Sequence, residues 1–282
     1  MRLKETLQKH HFVFKKKYGQ NFITDPHLLD KIATAADVTD EDIVVEIGPG
    51  AATLTRVLAQ RAKAVIAIEI DPTLLPIITE AMASFDHFYL LNDDALQINL
   101  DKLVAETLGY ESSYKVVANL PYYITTPLVM RFLEEGFHIE RITVMVQKEV
   151  AQRFQAKAGS KDYGAITAML NYYGEVKTAF MVPKTLFIPQ PKVDSAVIDI
   201  VPFEQKPCLA DDEKLLRTLI KAAFSQRRKT LSNAIKTANI APEIMHSSFN
   251  QCGIDPKRRG ETLTIAEFVC LSNCVTQLLN HH

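Results

Sequence analysis

Asn119-Leu120-Pro121-Tyr122 sets two oxygen acceptors, a stiff turn and an aromatic ring in consecutive positions. The exocyclic amine of an adenine is a weak nucleophile, because its lone pair is delocalised into the ring. The Asn119 side-chain oxygen and the Leu120 carbonyl suit its two amino protons and would aim the lone pair at a methyl sulfonium. Pro121 brings no amide hydrogen to compete and fixes its own φ. Tyr122 offers a stacking face to a base drawn out of its helix or loop. The plainer alternative is a strand-end turn in which Pro121 and Tyr122 only pack. Methyl transfer here needs no general base, since the amine becomes acidic once methylated and cationic, so positioning and electrostatics would carry the catalysis.

Four strand-like runs position these residues. Ile43-Val44-Val45-Glu46-Ile47 runs into Gly48-Pro49-Gly50, and Thr53 to Leu58 has apolar residues at helical spacing, giving a strand, a glycine turn and a helix. Val65–Ile68 then ends at Glu69, Phe88–Leu91 at Asn92-Asp93-Asp94, and Lys115–Ala118 at Asn119. That recurrence, roughly every 20 to 25 residues, is the βα repeat of a doubly wound sheet, whose ligands bind across the carboxyl ends of the strands. Gly48, Glu69, Asp94 and Asn119 should therefore share one crevice. Glu69 suits the hydroxyls of a ribose, and Asp94 an adenine amino group, with Asp93 as its competitor. Glu46 could hold the glycine loop or reach the positively charged end of a cofactor. The pattern Gly48-x-Gly50-x-x-Thr53 lacks the third glycine that packs a helix N-terminus against a pyrophosphate, which favours S-adenosylmethionine over a dinucleotide. An NAD-dependent rival would also need an acid-base set, and none is evident.

The whole chain sets bounds on this reading. Its 282 residues, 47% hydrophobic, suffice for a large core and a second, smaller domain. The apolar runs are strand-sized, and the N-terminus resembles no secretory signal, so a soluble cytoplasmic protein without membrane contact is expected. Four cysteines without a CxxC pair argue against zinc and disulfides, and the histidine spacing suggests no metal. The net charge of −1 conceals a segregation: residues 1–22 carry about +5, 206–260 about +6 and 23–205 near −10. Basic ends around an acidic body fit a polyanion such as RNA, although lysines and arginines also simply solvate exposed faces.

Residues 1–22 read as a basic arm in which Lys15, Lys16 and Lys17 could neutralise phosphates while Phe22 pins the arm to the body. Residues 23–205 read as the catalytic domain. Within it, Asp25-Pro26 opens a helix with Leu28, Leu29, Ile32, Ala33 and Ala36 on its apolar face. Thr126-Pro127 reads as another helix start. The prolines of 184–192 predict a loop facing the crevice. Residues 206–282 read as helical and RNA-binding, presenting Arg227, Arg228, Lys229, Lys257, Arg258 and Arg259 at helix junctions. No heptad or long amphipathic seam is present, so a monomer is expected.

Tyr18-Gly19-Gln20-Asn21-Phe22, Glu46-Ile47-Gly48-Pro49-Gly50, Asn119-Leu120-Pro121-Tyr122, Pro191-Lys192-Val193-Asp194-Ser195-Ala196-Val197 and Gln226-Arg227-Arg228-Lys229 together resemble the KsgA family of ribosomal RNA adenine dimethyltransferases. These motifs span nearly the whole chain. The resemblance implies a Rossmann-like α/β class I methyltransferase fold with a smaller all-α C-terminal domain. It implies S-adenosylmethionine bound by Asn21, the backbone of Ile23, Gly48, Gly50, Glu69, Asp94 and Asn119, Ile23 replacing the family's usual leucine. Tyr122 and Phe187 would flank the target adenine, Phe187 being equally suited to core packing. The implied substrate is a pair of adjacent adenines near the 3′ end of 16S rRNA in the small ribosomal subunit, dimethylated at N6 during assembly. Enzymes that methylate 23S rRNA and confer macrolide resistance share the Asn119 motif. A non-catalytic RNA-binding assembly or transcription factor on the same fold is the further alternative.

Overall fold

The computed structural model describes residues 3–15, 18–226 and 228–280, without the side chains of Leu3, Lys4, Tyr122 and Tyr123. Two compact units divide the chain. Residues up to Ala151 join Lys177–Pro202 in the first, and Gln152–Val176 joins the residues from Phe203 onward in the second. A single cut near residue 205 had been expected. Gln152–Val176 instead goes with the helical unit: its helix packs on those formed by residues 213–225 and 265–280, and Tyr172 and Tyr173 at its end donate hydroxyl hydrogen bonds to Glu213 at 3.1 and 3.0 Å.

The first unit is organised by a seven-stranded sheet. Its strands are β2 (Ile43–Ile47), β3 (Ala64–Ile68), β4 (Phe88–Leu91), β5 (Tyr114–Ala118), β6 (Ile139–Gln147), β7 (Gly174–Val182) and β9 (Ser195–Pro202), in the order β4-β3-β2-β5-β6-β9-β7. The five strands from β4 to β6 run parallel, and β9 pairs antiparallel with β6. Every residue of β2, β3 and β5 is buried, as expected of parallel strands covered on both faces. Chain order reverses between β2 and β5, which puts the switch-point crevice beside the Gly48 turn and Asn119.

A two-stranded antiparallel sheet pairs β1 (Phe22–Ile23) with β8 (Phe187–Ile188), Ile23 opposite Phe187. The 184–192 loop thus contains a short strand, which ties it to the N-terminal segment. That segment carries helix α1 (Leu3–Lys9) and is less of a free arm than expected. Leu7 and Phe22 are buried, and the Phe22 ring packs on Phe12 and Phe14 at 5.8 and 5.5 Å.

In α2 (Pro26–Ala35) the Asp25 carboxylate caps the Leu28 amide at 2.9 Å, and all the apolar positions expected to be internal are buried. α3 (Thr53–Ala59), α4 (Leu75–Met82) and α5 (Leu100–Leu108) complete the βα repeats. The next helix corrects the sequence reading. α6 (Tyr122–Glu135) begins four residues before the expected Thr126-Pro127 start and holds Pro127 inside it. The proline removes one hydrogen bond close to the helix start, where the Ile124 amide and the Thr125 hydroxyl both donate to the Pro121 carbonyl at 3.1 Å.

The second unit begins inside α7 (Lys148–Phe154), and its main helices are α8 (Ala165–Tyr173), α9 (Glu213–Ser225), α10 (Leu231–Ala234), α11 (Pro242–Gln251) and α12 (Ile265–Asn280). Asp212 caps α9, whose Leu216, Leu219, Ile220 and Ala223 are buried. A Cβ on Gly260 would lie 2.5 Å from the Ala223 carbonyl oxygen, so glycine is what lets that loop approach α9. Among the described residues, no helix is long and apolar enough to cross a membrane.

Candidate active site

A cleft opens to solvent at the carboxyl ends of β2–β5. Gly48, Gly50, Glu69, Asp94, Asn119, Leu120 and Pro121 line it, with Asn21 and Ile23 from the N-terminal segment and Phe187 from β8. Each strand-end residue expected in one crevice is there. Asp93 lines it too and is more exposed than Asp94, whose carboxylate accepts from the Leu96 amide at 2.9 Å.

The glycine turn is built for close approach. Gly48 and Gly50 have φ of +69° and +59°, and a Cβ on Gly50 would come within 2.8 Å of the Phe22 ring. Glu69 is buried and spans the turn. One oxygen accepts from the Gly50 amide at 3.2 Å and the other from the Asp71 amide at 2.8 Å, leaving lone pairs on both for a diol. Burial pushes its carboxyl up to about 7, against the pull of those amides. Glu46 is buried as well, and burial drives it up to about 8, an effect only partly offset by the neighbouring Thr55 hydroxyl. Among the described residues its Oε2 has no hydrogen-bond partner, which leaves an orphaned polar atom in the cleft wall.

The N-terminal segment is locked onto the Asn119 turn. The Asn119 side-chain amide donates to the Asn21 carbonyl at 3.1 Å, and the Asn21 side chain donates to the Gly19 carbonyl at 2.9 Å. Gly19, at φ +55°, lies so close to Pro121 that a Cβ would meet its Cβ at 2.9 Å. Phe187 is only 3% exposed, so its ring forms cleft wall and core together.

A matching family model covers residues 11–277: ribosomal RNA adenine dimethylase. The chain belongs to that family. It is therefore a methyltransferase that acts on ribosomal RNA. Curated relatives named ribosomal RNA small subunit methyltransferase A include one from Clostridium acetobutylicum, 46% identical over 96% of each chain, and one from Geobacillus kaustophilus, 46% identical over 98% of this chain and 96% of the relative. Among solved structures, a dimethyladenosine transferase from Plasmodium falciparum superposes with a TM-score of 0.72 at 24% identity, covering 89% of this chain and 95% of its own. The 23S rRNA methyltransferase ErmE gives 0.66 at 23%, covering 91% and 100%. Both share the fold of this dimethylase.

The basic residues expected to contact phosphates divide into two groups. Arg228, Lys229, Lys257 and Arg259 are exposed. Lys15 is engaged internally instead: its ammonium holds the buried Asp71 carboxylate at 2.7 Å and the Thr73 hydroxyl at 2.8 Å, while Gln20 holds the second Asp71 oxygen at 2.9 Å. Burial pushes the Asp71 carboxyl up, but these partners more than offset it and keep it below the usual range. Arg258 forks onto Glu267, the capping-box acid of α12, and onto the Thr262 carbonyl at 2.7 Å. Lys16, Lys17, Arg227 and the Tyr122 side chain lie outside the described residues.

The Lys15–Asp71–Gln20 tie went unread in the sequence, because Asp71-Pro72 resembles an ordinary turn. The cysteines are free thiols. Cys252, Cys270 and Cys274 converge although no CxxC pair exists, since two of them sit one helical turn apart on α12.

Proposed function

We propose that this chain transfers methyl groups from S-adenosylmethionine to the N6 amines of two adjacent adenines near the 3′ end of 16S rRNA, during small-subunit assembly. Family membership implies the methyl donor, and the names of the relatives favour the small-subunit substrate over 23S rRNA. The observation that carries the reading is the Asn119–Asn21 hydrogen bond at the mouth of a strand-end cleft.

The cleft suits the donor chemically. Glu69 would take the ribose hydroxyls, Asp94 the adenine amino group, and the glycine turn would admit the ligand against bare backbone. The orphaned Glu46 oxygen would meet its ammonium end. When bound, the cofactor supplies an electrophilic methyl on a sulfonium.

The remaining work falls to the protein. Asn119 Oδ1 and the Leu120 carbonyl accept the two amino protons of the target and turn its lone pair out of conjugation. The methylated amine would be cationic and would give its proton to solvent, so no side chain is needed as a base. After the first transfer one amino proton remains, and a single acceptor then suffices. Tyr122 stacks on the base, with Phe187 on the other wall. Arg228, Lys229, Lys257 and Arg259 grip phosphates, and the protein acts as a monomer.

The test is incubation of purified protein with labelled methyl donor and each immature ribosomal subunit, followed by mapping of modified bases. Label on two adjacent adenines of 16S rRNA is expected. Label on 23S rRNA would establish the macrolide-resistance type of activity, and binding without transfer a non-catalytic factor.

A further inference from the structure

The C-terminal helices hold a cluster that methyl transfer does not use. Cys252 caps the end of α11, while Cys270 and Cys274 stand four residues apart on one face of α12. The three sulfurs lie within 4.8 Å of one another, and the Cys252 thiol donates to Cys274 Sγ at 3.3 Å. That separation is far beyond the roughly 2.05 Å of a disulfide, so these are free thiols. A metal–sulfur bond of about 2.3 Å places thiolates about 3.8 Å apart in a tetrahedron. The Cys252–Cys274 separation of 3.3 Å and the 4.8 Å limit on the others leave side-chain adjustments of about 1 Å or less to close the set. Cys252 and Cys274 are half-buried and Cys270 is exposed, so one side of the cluster is open to water.

We propose that Cys252, Cys270 and Cys274 form a three-thiolate site for one thiophilic cation of the zinc class, with water in the fourth position. Three sulfur donors without a carboxylate or imidazole among the described residues of the cluster select a soft d10 ion over magnesium or calcium. On binding, each thiol gives its proton to solvent as its sulfur bonds the metal. The ion would cross-link α11 to α12 and close the intervening loop. No redox step is involved.

The test uses the full chain, reduced with a phosphine so that no added thiol competes. Zinc(II) is titrated against a chromogenic chelator, and cadmium(II) is followed by its thiolate charge-transfer absorption. One ion per chain is expected, with cadmium absorption corresponding to three thiolates, proton release on binding, and a thermal midpoint that zinc raises. Cys252→Ser and the exposed Cys270→Ser should each weaken binding at least tenfold, and Cys208→Ser should not. Cys270→Ser, at a solvent-facing position, keeps the test valid if Cys252→Ser fails to fold. Absence of stoichiometric uptake, uptake unchanged in Cys270→Ser, or absorption from only two thiolates would overturn the site.

Discussion

The Asn119 side-chain amide is held by the Asn21 carbonyl at 3.1 Å, a contact between residues 98 positions apart in the chain. Only the NH2 end of an amide can donate to a carbonyl, so this contact fixes which end of Asn119 is left to accept. Asn119→Ala should lower turnover about 10²- to 10³-fold, the scale of losing one aligned polar partner of the reacting group. S-adenosylhomocysteine affinity should change little. Asn119→Asp should not rescue, because a carboxylate facing the Asn21 carbonyl would be repelled and turn away. Single-turnover methylation beside calorimetry separates the two effects, and wild-type turnover in Asn119→Ala would remove that residue from the mechanism.

Glu69 predicts how cofactor binding depends on pH. Its carboxyl titrates near 7, raised by burial, and only the ionised form offers acceptors to both backbone amides and ribose hydroxyls. Binding must therefore expel a proton at low pH. S-adenosylhomocysteine affinity should fall by up to about tenfold per pH unit below 7 and level off above it. Glu69→Ala should bind weakly at every pH. Calorimetry between pH 5.5 and 8.5 checks the slope, and a flat wild-type profile would refute the role.

Glu46 gives the opposite trend, in stability. Its folded carboxyl is raised by burial to about 8 from an ordinary 4.5, so between these values the folded chain keeps a proton that the unfolded chain has lost. Stability of the ligand-free protein must then fall as pH rises from about 4.5 to 8. Glu46→Gln should make that decline shallower, leaving the part that Glu69, raised to about 7, contributes below pH 7, and should be the more stable protein at pH 8. Urea unfolding at pH 5, 6, 7 and 8 tests this, and parallel profiles for the two proteins would show that Glu46 does not carry the linkage.

Periodicity makes the repeats legible because each strand ends in a glycine turn or a polar residue, which assigns Gly48, Glu69, Asp94 and Asn119 to one crevice from the sequence alone. What stayed hidden depends on partners remote in sequence. Lys15 looks like an RNA contact until Asp71, 56 residues away, proves to be buried and in need of a cation. Thr-Pro is a local signal for the start of α6, but the first turn closes earlier, on the Pro121 carbonyl that accepts from the Ile124 amide and the Thr125 hydroxyl. Gln152–Val176 goes with the helical unit because α8 packs on α9 and α12, partners about 40 residues or more further on, of which Glu213 takes the Tyr172 and Tyr173 hydroxyls.

Gly50 separates backbone strain from steric approach. Both Gly50 and Gly109 have left-handed φ, +59° and +81°, but among the described residues a Cβ at Gly109 would meet nothing within 4 Å. Gly109→Ala should therefore cost about 1–2 kcal/mol through conformation alone. Gly50→Ala should cost more and also weaken cofactor binding, because it displaces the Phe22 ring that walls the cleft. Equal losses in chemical denaturation, with binding intact, would show that the turn tolerates a Cβ.

The two kinds of basic residue should respond differently to substitution. Arg228 and Lys229 are exposed, so each phosphate contact they make releases counterions and steepens the salt dependence of RNA affinity. Replacing both with alanine should reduce the magnitude of the slope of log affinity against log salt by about 2 and leave the unfolding temperature unchanged. Arg258→Ala should do the reverse. It leaves Glu267, whose carboxyl Arg258 holds below the usual range, without its cation at the start of α12, and removes the donor to the Thr262 carbonyl. A lower unfolding temperature with an unaltered salt slope is therefore expected of Arg258→Ala. Should its slope fall by about 1 while stability holds, Arg258 would be an RNA contact after all, and its pairing with Glu267 would have to open when the substrate binds.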